Sequence, residues 1–146
     1  DQVPPLVIES LNTGYSTPPT IRSAAAEERS AQMASNLFKL KDHIILGTDA
    51  GAVGDYFGYA DHVELSLFVR MGMTPSESIV AATSRAAKAF GLDDVGILRA
   101  GKAADFIILD ANPLEDINNT REINEVYLRG KRVDREGLSE RWTLEN

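Results

Sequence analysis

Hydrophobic positions along this chain change their period several times, and each change predicts an element. Near the start, Pro4-Pro5, Asn12-Thr13-Gly14 and Pro18-Pro19 break up everything except Leu6-Val7-Ile8, which predicts one short strand in a segment that is otherwise loop. From Ile21 to Leu40 the residues are rich in Ala, Glu, Arg, Gln and Leu, and Met33, Ala34, Leu37, Phe38 and Leu40 recur at helical spacing, predicting an amphipathic helix. Ile44-Ile45-Leu46 then run into Gly47-Thr48-Asp49-Ala50-Gly51. A short, uninterrupted apolar run bounded by turn residues predicts a strand buried on both faces, as in a parallel sheet.

A second helical period covers Asp61 to Met71, with Val63, Leu67, Phe68 and Met71 on one side and Gly72 placed to end it. Thr74-Pro75-Ser76-Glu77 is a helix start: an N-cap hydroxyl, proline at the first helical position, and a glutamate that can reach back to the cap. That helix is expected to run through Ile79, Val80, Ala82, Thr83, Ala86 and Ala87 to Phe90 and to stop at Gly91. Beyond Leu92 the period shortens. Asp105–Asp110 reads as a strand bounded by acids, Asn112-Pro113-Leu114 turns out of it, and Val126–Val133 folds as a hairpin about Arg129-Gly130. The polar tail from Glu136 to Asn146 carries Trp142 and Leu144, which could dock on a neighbour. The pattern predicts an α/β chain in which a helix-rich segment, 1–91, gives way to a strand-rich one, 92–146.

Composition narrows the function. The 146 residues are 43% hydrophobic and 25% charged, enough to bury a globular core. A net charge of −7, with the acids dispersed, argues against a nucleic-acid or anionic-membrane surface. There is no cysteine, which removes disulfides, thiolate metal sites and a cysteine nucleophile, and suits a reducing, cytoplasmic setting. No apolar run approaches the length of a membrane span and no signal peptide is visible. The chain opens at Asp1 without a methionine, so either its start was processed or it is a piece of something longer.

The candidate chemistry centres on Asp49. In parallel α/β folds ligands sit at the carboxyl ends of the strands, where the Ile44 strand delivers this acid. The competing reading is an aspartate that closes a strand–loop turn. Gly51, Gly54 and Gly58, interleaved with Tyr56, Phe57 and Tyr59, form a glycine-rich stretch that lacks the Lys-Ser/Thr pair of a phosphate loop, so it is not read as a nucleotide cradle; a mobile active-site loop is the expectation over a plain linker. Thr48 has no histidine base placed to make it a nucleophile, and is expected to orient Asp49 or to fill space beside it. Glu64, Asp105, Asp110 and Asp116 read as caps, turn acids or solvated charges.

Taken in order, Gly47-Thr48-Asp49-Ala50-Gly51, His62-Val63-Glu64-Leu65, Gly72-Met73-Thr74-Pro75, Ala81-Ala82-Thr83, Ala86-Ala87, Gly91-Leu92, Gly96-Ile97, Gly101-Lys102-Ala103-Ala104-Asp105, Leu109-Asp110 and Asn112-Pro113-Leu114 form a series. Over Ile44 to Val133 it resembles the C-terminal portion of the amidohydrolase superfamily, closest to imidazolonepropionase-like and prolidase-like members. The resemblance implies a metal-dependent (β/α)8 TIM-type barrel with a small composite β-sandwich. Residues 1–91 would then be the last helix/strand units of the barrel and 92–146 the C-terminal strands of the sandwich. It implies a hydrolase of C–N bonds in a cyclic amide, an imidazolone-like ring or a peptide-like substrate. The implied cofactor is a divalent metal, zinc first. Asp49 would bind the metal or its water and shuttle the proton to the leaving group. Such a metal brings bound water near neutral pKa, where a carboxylate can take its proton.

The family's other ligands, a His-x-His pair, a lysine or glutamate and two later histidines, come from strands this chain does not contain. Its two histidines are His43, at the opposite end of the strand from Asp49, and His62, at a helix start. His62 is expected to pack or to hydrogen-bond locally, with a role in backing the metal site as the alternative; Thr48 and Tyr56 share the expectation of backing Asp49 or lining the substrate mouth. One carboxylate and one histidine fall short of the three or so protein ligands of a catalytic metal. The chain alone is therefore expected to be inactive, to hold no stoichiometric zinc, and to be stable only beside the N-terminal part of the same protein or another copy. The competing function is a non-catalytic structural or oligomerisation module derived from the same family.

Overall fold

The computed structural model describes residues 28–29, 32–33, 35–36, 38–51 and 56–144. The expected strand at Leu6-Val7-Ile8 lies outside the described residues. The described residues between 28 and 38 are helical, and Lys41–His43 follow as one turn of 3-10 helix. Phe38 packs against the core, but Met33 and Leu40, predicted to share its buried face, are exposed, because nothing described lies opposite them.

Three helices come next: α1 at Tyr59–Arg70, α2 at Pro75–Ala82 and α3 at Ser84–Ala89. Their ends follow the sequence signals. At the end of α1, Gly72 N–H donates to Val69 C=O and Met73 N–H to Phe68 C=O, a Schellman closure. Gly91 and Leu92 close α3 in the same way, on Lys88 and Ala87. At the start of α2 the capping box forms in both directions: Glu77 N–H donates to Thr74 Oγ1 at 3.2 Å, and Thr74 N–H donates to Glu77 Oε2 at 2.7 Å.

Two helical expectations are corrected. The single helix expected from Pro75 to Phe90 breaks at Thr83, whose backbone leaves the helical region (φ −123°, ψ −96°) while its hydroxyl donates to Ile79 C=O at 2.7 Å. A threonine bonding back one turn bends a helix, and here the chain restarts after it. A returning loop lies over the break, where Gly96 sits with φ +81°; a Cβ there would stand 2.7 Å from that of Ala87 and 3.0 Å from Thr83 O. Only a glycine accepts both that conformation and that approach. On α1 the buried residues are Ala60, Leu65 and Phe68, whereas Leu67 and Met71 are exposed. The helix is apolar on two sides, and periodicity does not say which of them meets α2.

Phe68, Met73 and Ala81 form the core, with Phe38, Ile44 and Leu46 packed against it. Ser78 is fully buried and donates to Leu65 C=O at 3.0 Å, tying α2 to α1.

The C-terminal part is a three-stranded antiparallel sheet in the order β1-β2-β3: β1 at Phe106–Leu109, β2 at Ile123–Leu128 and β3 at Lys131–Arg132. Phe106 faces Tyr127 and Ile108 faces Glu125, with an irregularity before Leu109 pairs with Ile123. Arg129 (φ 50°) and Gly130 (φ 75°) make the tight hairpin turn between β2 and β3. Asp105 accepts from Arg129 N–H at 2.6 Å and so braces that turn. A 3-10 turn at Ile117–Arg121, begun by Asp116, connects the first two strands and packs on α1. A final helix, α4, spans Arg135–Leu144; the side chains of Trp142 and Leu144 lie outside the described residues. No helix among the described residues is long and apolar enough to cross a membrane.

Candidate active site around Asp49

The strand predicted over residues 44–48, buried on both faces and delivering Asp49 at its end, takes a different form. Ile44 is extended, but residues 44–48 join no ladder, and Ile44, Ile45 and Leu46 are half-buried. The backbone finds its partners in the helices instead. Arg85 of α3 donates through Nη1 to Lys41 C=O at 2.9 Å and Ile44 C=O at 3.0 Å. Leu46 N–H donates to Ala81 C=O at 3.3 Å, and Gly47 N–H donates to both carboxylate oxygens of Glu64, at 3.2 and 3.3 Å. Lys41 Nζ meets Glu77 Oε1 at 2.6 Å and fixes the start of the segment to the cap of α2. That bond and the two from Thr74 hold the Glu77 carboxyl down to about 2.

The segment ends in a turn built around Asp49. Ala50 N–H donates to Thr48 Oγ1 at 3.2 Å, and Asp49 takes a left-handed conformation, φ 53°. Asp and Asn tolerate that region better than other side chains do. The Asp49 side chain is exposed, and Thr48 beside it is half-buried. Gly51 follows with φ 111°, and the ring of Phe57 lies against it, 3.2 Å from where a Cβ would stand. Phe57 is 82% exposed, so an aromatic face stands open against Gly51, which lies two residues after the acid.

Thr48 and Asp49 therefore share one turn. Tyr56 is half-buried, and its carbonyl accepts from Ala60 N–H at 2.9 Å as α1 begins. His62 is drawn the other way. Its Nδ1 lies 2.9 Å from Thr120 Oγ1, and that hydroxyl donates to Ile117 C=O at 2.8 Å. Because the hydroxyl proton is already committed, His62 Nδ1–H is the donor, and the imidazole is fixed as the Nδ1 tautomer. Burial pushes the imidazole below its ordinary range, the Arg121 guanidinium adds to the effect and Asp61 opposes it. The histidine thus joins α1 to the 117–121 turn. His43 is exposed.

Among the described residues no three of His, Cys, Asp and Glu come together as a metal-binding group. One carboxylate is fewer ligands than a divalent ion takes, and a carboxylate is a group that can accept and return a proton. A cleft of about 430 Å³ opens elsewhere, between α1 and residues 115–121; it is lined by Val63, Ser66, Arg70, Asn118 and Arg121, among others, and does not include Asp49.

The acids separate as follows. Asp105 and Asp116 accept backbone N–H groups at turns, and Asp110 accepts from the Asn124 side chain at 2.7 Å. Glu64 is the exception, since it reaches across to the segment that carries Asp49. In the sequence it reads as one more cap or solvated acid; its one signal is a carboxylate set between Val63 and Leu65 on a helix whose neighbours are half-buried or buried.

The amidohydrolase family pattern matches residues 10–133. The chain is 35% identical over 94 residues to an imidazolonepropionase of Deinococcus radiodurans, covering 62% of this chain and 23% of that protein. It is 42% identical over 94 residues to an ochratoxinase of Aspergillus niger, covering 60% of this chain and 18% of that protein. The fold superposes on the crystal structure of phenylurea hydrolase B with a TM-score of 0.71 at 29% identity, over 96% of this chain and 33% of the other. The chain thus spans about a quarter or less of the length of the relatives it matches in sequence.

Proposed function

The chain belongs to the amidohydrolase family, and from that membership we propose that it is the C-terminal portion of a hydrolase that cleaves C–N bonds. The family is one of TIM-barrel enzymes that act on such bonds and generally use a divalent metal ion. In this reading residues 1–91 supply the last helix/strand units of the barrel and 92–146 the C-terminal strands of a sandwich. The remaining strands come from the N-terminal part of the same protein. Zinc is the metal proposed, with Asp49 as this chain's single ligand.

The observation that carries the reading is the placement of Asp49. An exposed carboxylate stands at the end of a segment seated on a helical core, in a turn closed by Thr48, with the exposed ring of Phe57 against Gly51 two residues on. Its chemistry is proton transfer. As water attacks the amide carbonyl, the Asp49 carboxylate accepts the water's proton, and it delivers that proton to the nitrogen as the C–N bond breaks. The substrates proposed are small amides, either cyclic and imidazolone-like or peptide-like.

The test begins with the reading frame upstream of Asp1. It is expected to encode a His-x-His pair, and the protein expressed from the whole frame is expected to hydrolyse the C–N bond of at least one of three probes: a cyclic amide, which it would open, or an Xaa-Pro dipeptide or N-acyl anilide, from which it would release the amine. Stripping metal should abolish turnover, and zinc should restore it. A frame without that pair, and a protein inert toward all three probes with metal supplied, would favour the non-catalytic structural module.

A further inference from the structure

The hydrogen bonds of the segment before Asp49 lead further. A barrel strand is normally held by its neighbours, residue against residue. Here three consecutive helices reach the backbone of residues 41–47 at successive points: Arg85 at Lys41 and Ile44, Ala81 at Leu46, and Glu64 at Gly47. Glu64 makes the last contact before the acid. Glu64 is half-buried, and its bond to the exposed Gly47 amide lies at the surface. A charged acceptor makes a stronger bond to an N–H than a neutral one. A Cβ at Gly47 would meet nothing within 4 Å, so the Glu64 contact is made to the backbone amide alone and does not depend on the missing side chain.

We propose that Glu64 is a positioning residue for Asp49: by holding the Gly47 N–H from α1, it sets where the segment ends and therefore where the Asp49 carboxylate stands. The proposal rests on the acid–base reading of Asp49. Glu64 touches no reacting atom. It acts through two residues of backbone, and the bond is local, so its loss should displace Asp49 while the Phe68 core stays intact. Small displacements of a catalytic group are expensive in rate, with losses of about 10²-fold for a shift near 1 Å.

The test uses the protein expressed from the whole frame, comparing Glu64→Ala with Glu64→Gln. The amide oxygen of Gln can still accept from Gly47 N–H, and Ala cannot. Glu64→Ala is expected to lower kcat by about 10- to 100-fold with KM changed less than about threefold, and Glu64→Gln to recover most of the loss. Hydrogen exchange gives the readout that does not depend on turnover. The Gly47 amide should exchange at least about tenfold faster in Glu64→Ala, while the Leu46 amide, bonded to Ala81, keeps its protection. If Glu64→Ala fails to fold, Glu64→Asp retracts the carboxylate by about one C–C bond, near 1.5 Å, and should show the same two changes. Asp49→Asn is measured in parallel. Full activity there removes the acid–base reading, whereas the exchange result at Gly47 still reports on the clamp. Equal kcat in Glu64→Ala and the parent, equal losses in Ala and Gln, or an unchanged Gly47 exchange rate would each overturn the proposal.

Discussion

The helical half and the sheet half of this molecule treat their apolar residues differently. Around Phe68, Met73 and Ala81 the helices close on one another, and the segment before Asp49 lies across them with Ile44 and Leu46 inward. In the sheet, Ile107 and Ile108 alternate to opposite faces of β1, and both are more than 40% exposed; Leu128 is 58% exposed. A sheet can leave one face in water, but apolar residues exposed on both faces of a strand call for cover. The helical half thus closes a core of its own, although it also leaves Phe57, Leu67 and Phe90 exposed, whereas no residue of β1, β2 or β3 is fully buried. The site follows the same division, since the contacts that hold residues 41–47 ahead of Asp49 come, among the described residues, from the helical half.

The largest effect that should separate the two halves is a core truncation. Phe68→Ala is expected to destabilise by about 3–5 kcal/mol, whereas Ile107→Ala in this 146-residue chain should cost only about 1 kcal/mol, because its side chain is already half in water. In the protein expressed from the whole frame, Ile107→Ala should rise to the range of about 2–5 kcal/mol if other strands cover the sheet. Chemical denaturation of the three variants and their two parents checks the contrast, and an equal small cost for Ile107→Ala in both lengths would break it.

Gly96→Ala comes next. The added methyl meets Ala87 and the Thr83 carbonyl at a positive φ, so a loss of about 1–3 kcal/mol is expected, read as a lowered thermal midpoint. A neutral result would mean that the loop is not seated on the helix break.

The smallest effect is one of pH. Glu77 is held down to about 2, from an ordinary 4.5, by Lys41 and Thr74. A depressed carboxyl stabilises the fold fully above its unfolded value and loses that contribution as pH falls toward the folded one. The stability gap between the parent and Glu77→Gln should therefore be widest above about pH 5 and close toward pH 2. A gap that stays constant with pH would show that Lys41 does not favour the charged form.

Punctuation was the most legible part of the sequence. Thr74-Pro75-Ser76-Glu77, Gly72, Gly91 and the Arg129-Gly130 turn each act through local geometry, and each performs as its residue type dictates. Partners were less legible. Ile44-Ile45-Leu46 has the composition of a sheet strand, but what holds it here is side chains from 17 and 41 residues away, Glu64 and Arg85. The break at Thr83 was hidden because β-branched residues are common in helices, and only the loop bearing Gly96 gives this one its consequence. At the site, eight residues were enough to read a turn at Asp49, but not to choose between a turn-closing acid and a functional one. Glu64 could not, since a carboxylate on a half-buried helix face looks the same whether it meets water or a backbone amide.

The most direct test of the account is kcat of Asp49→Asn per folded molecule, in the protein expressed from the whole frame with metal saturating. Asn accepts the same left-handed backbone, so the turn survives while the base is lost. The account predicts a fall of about 10²–10⁴ in kcat with the thermal midpoint within about 2 °C of the parent. An Asp49→Asn protein that loses its fold but whose surviving folded fraction turns over at the parent rate would show that Asp49 closes a turn and does nothing more.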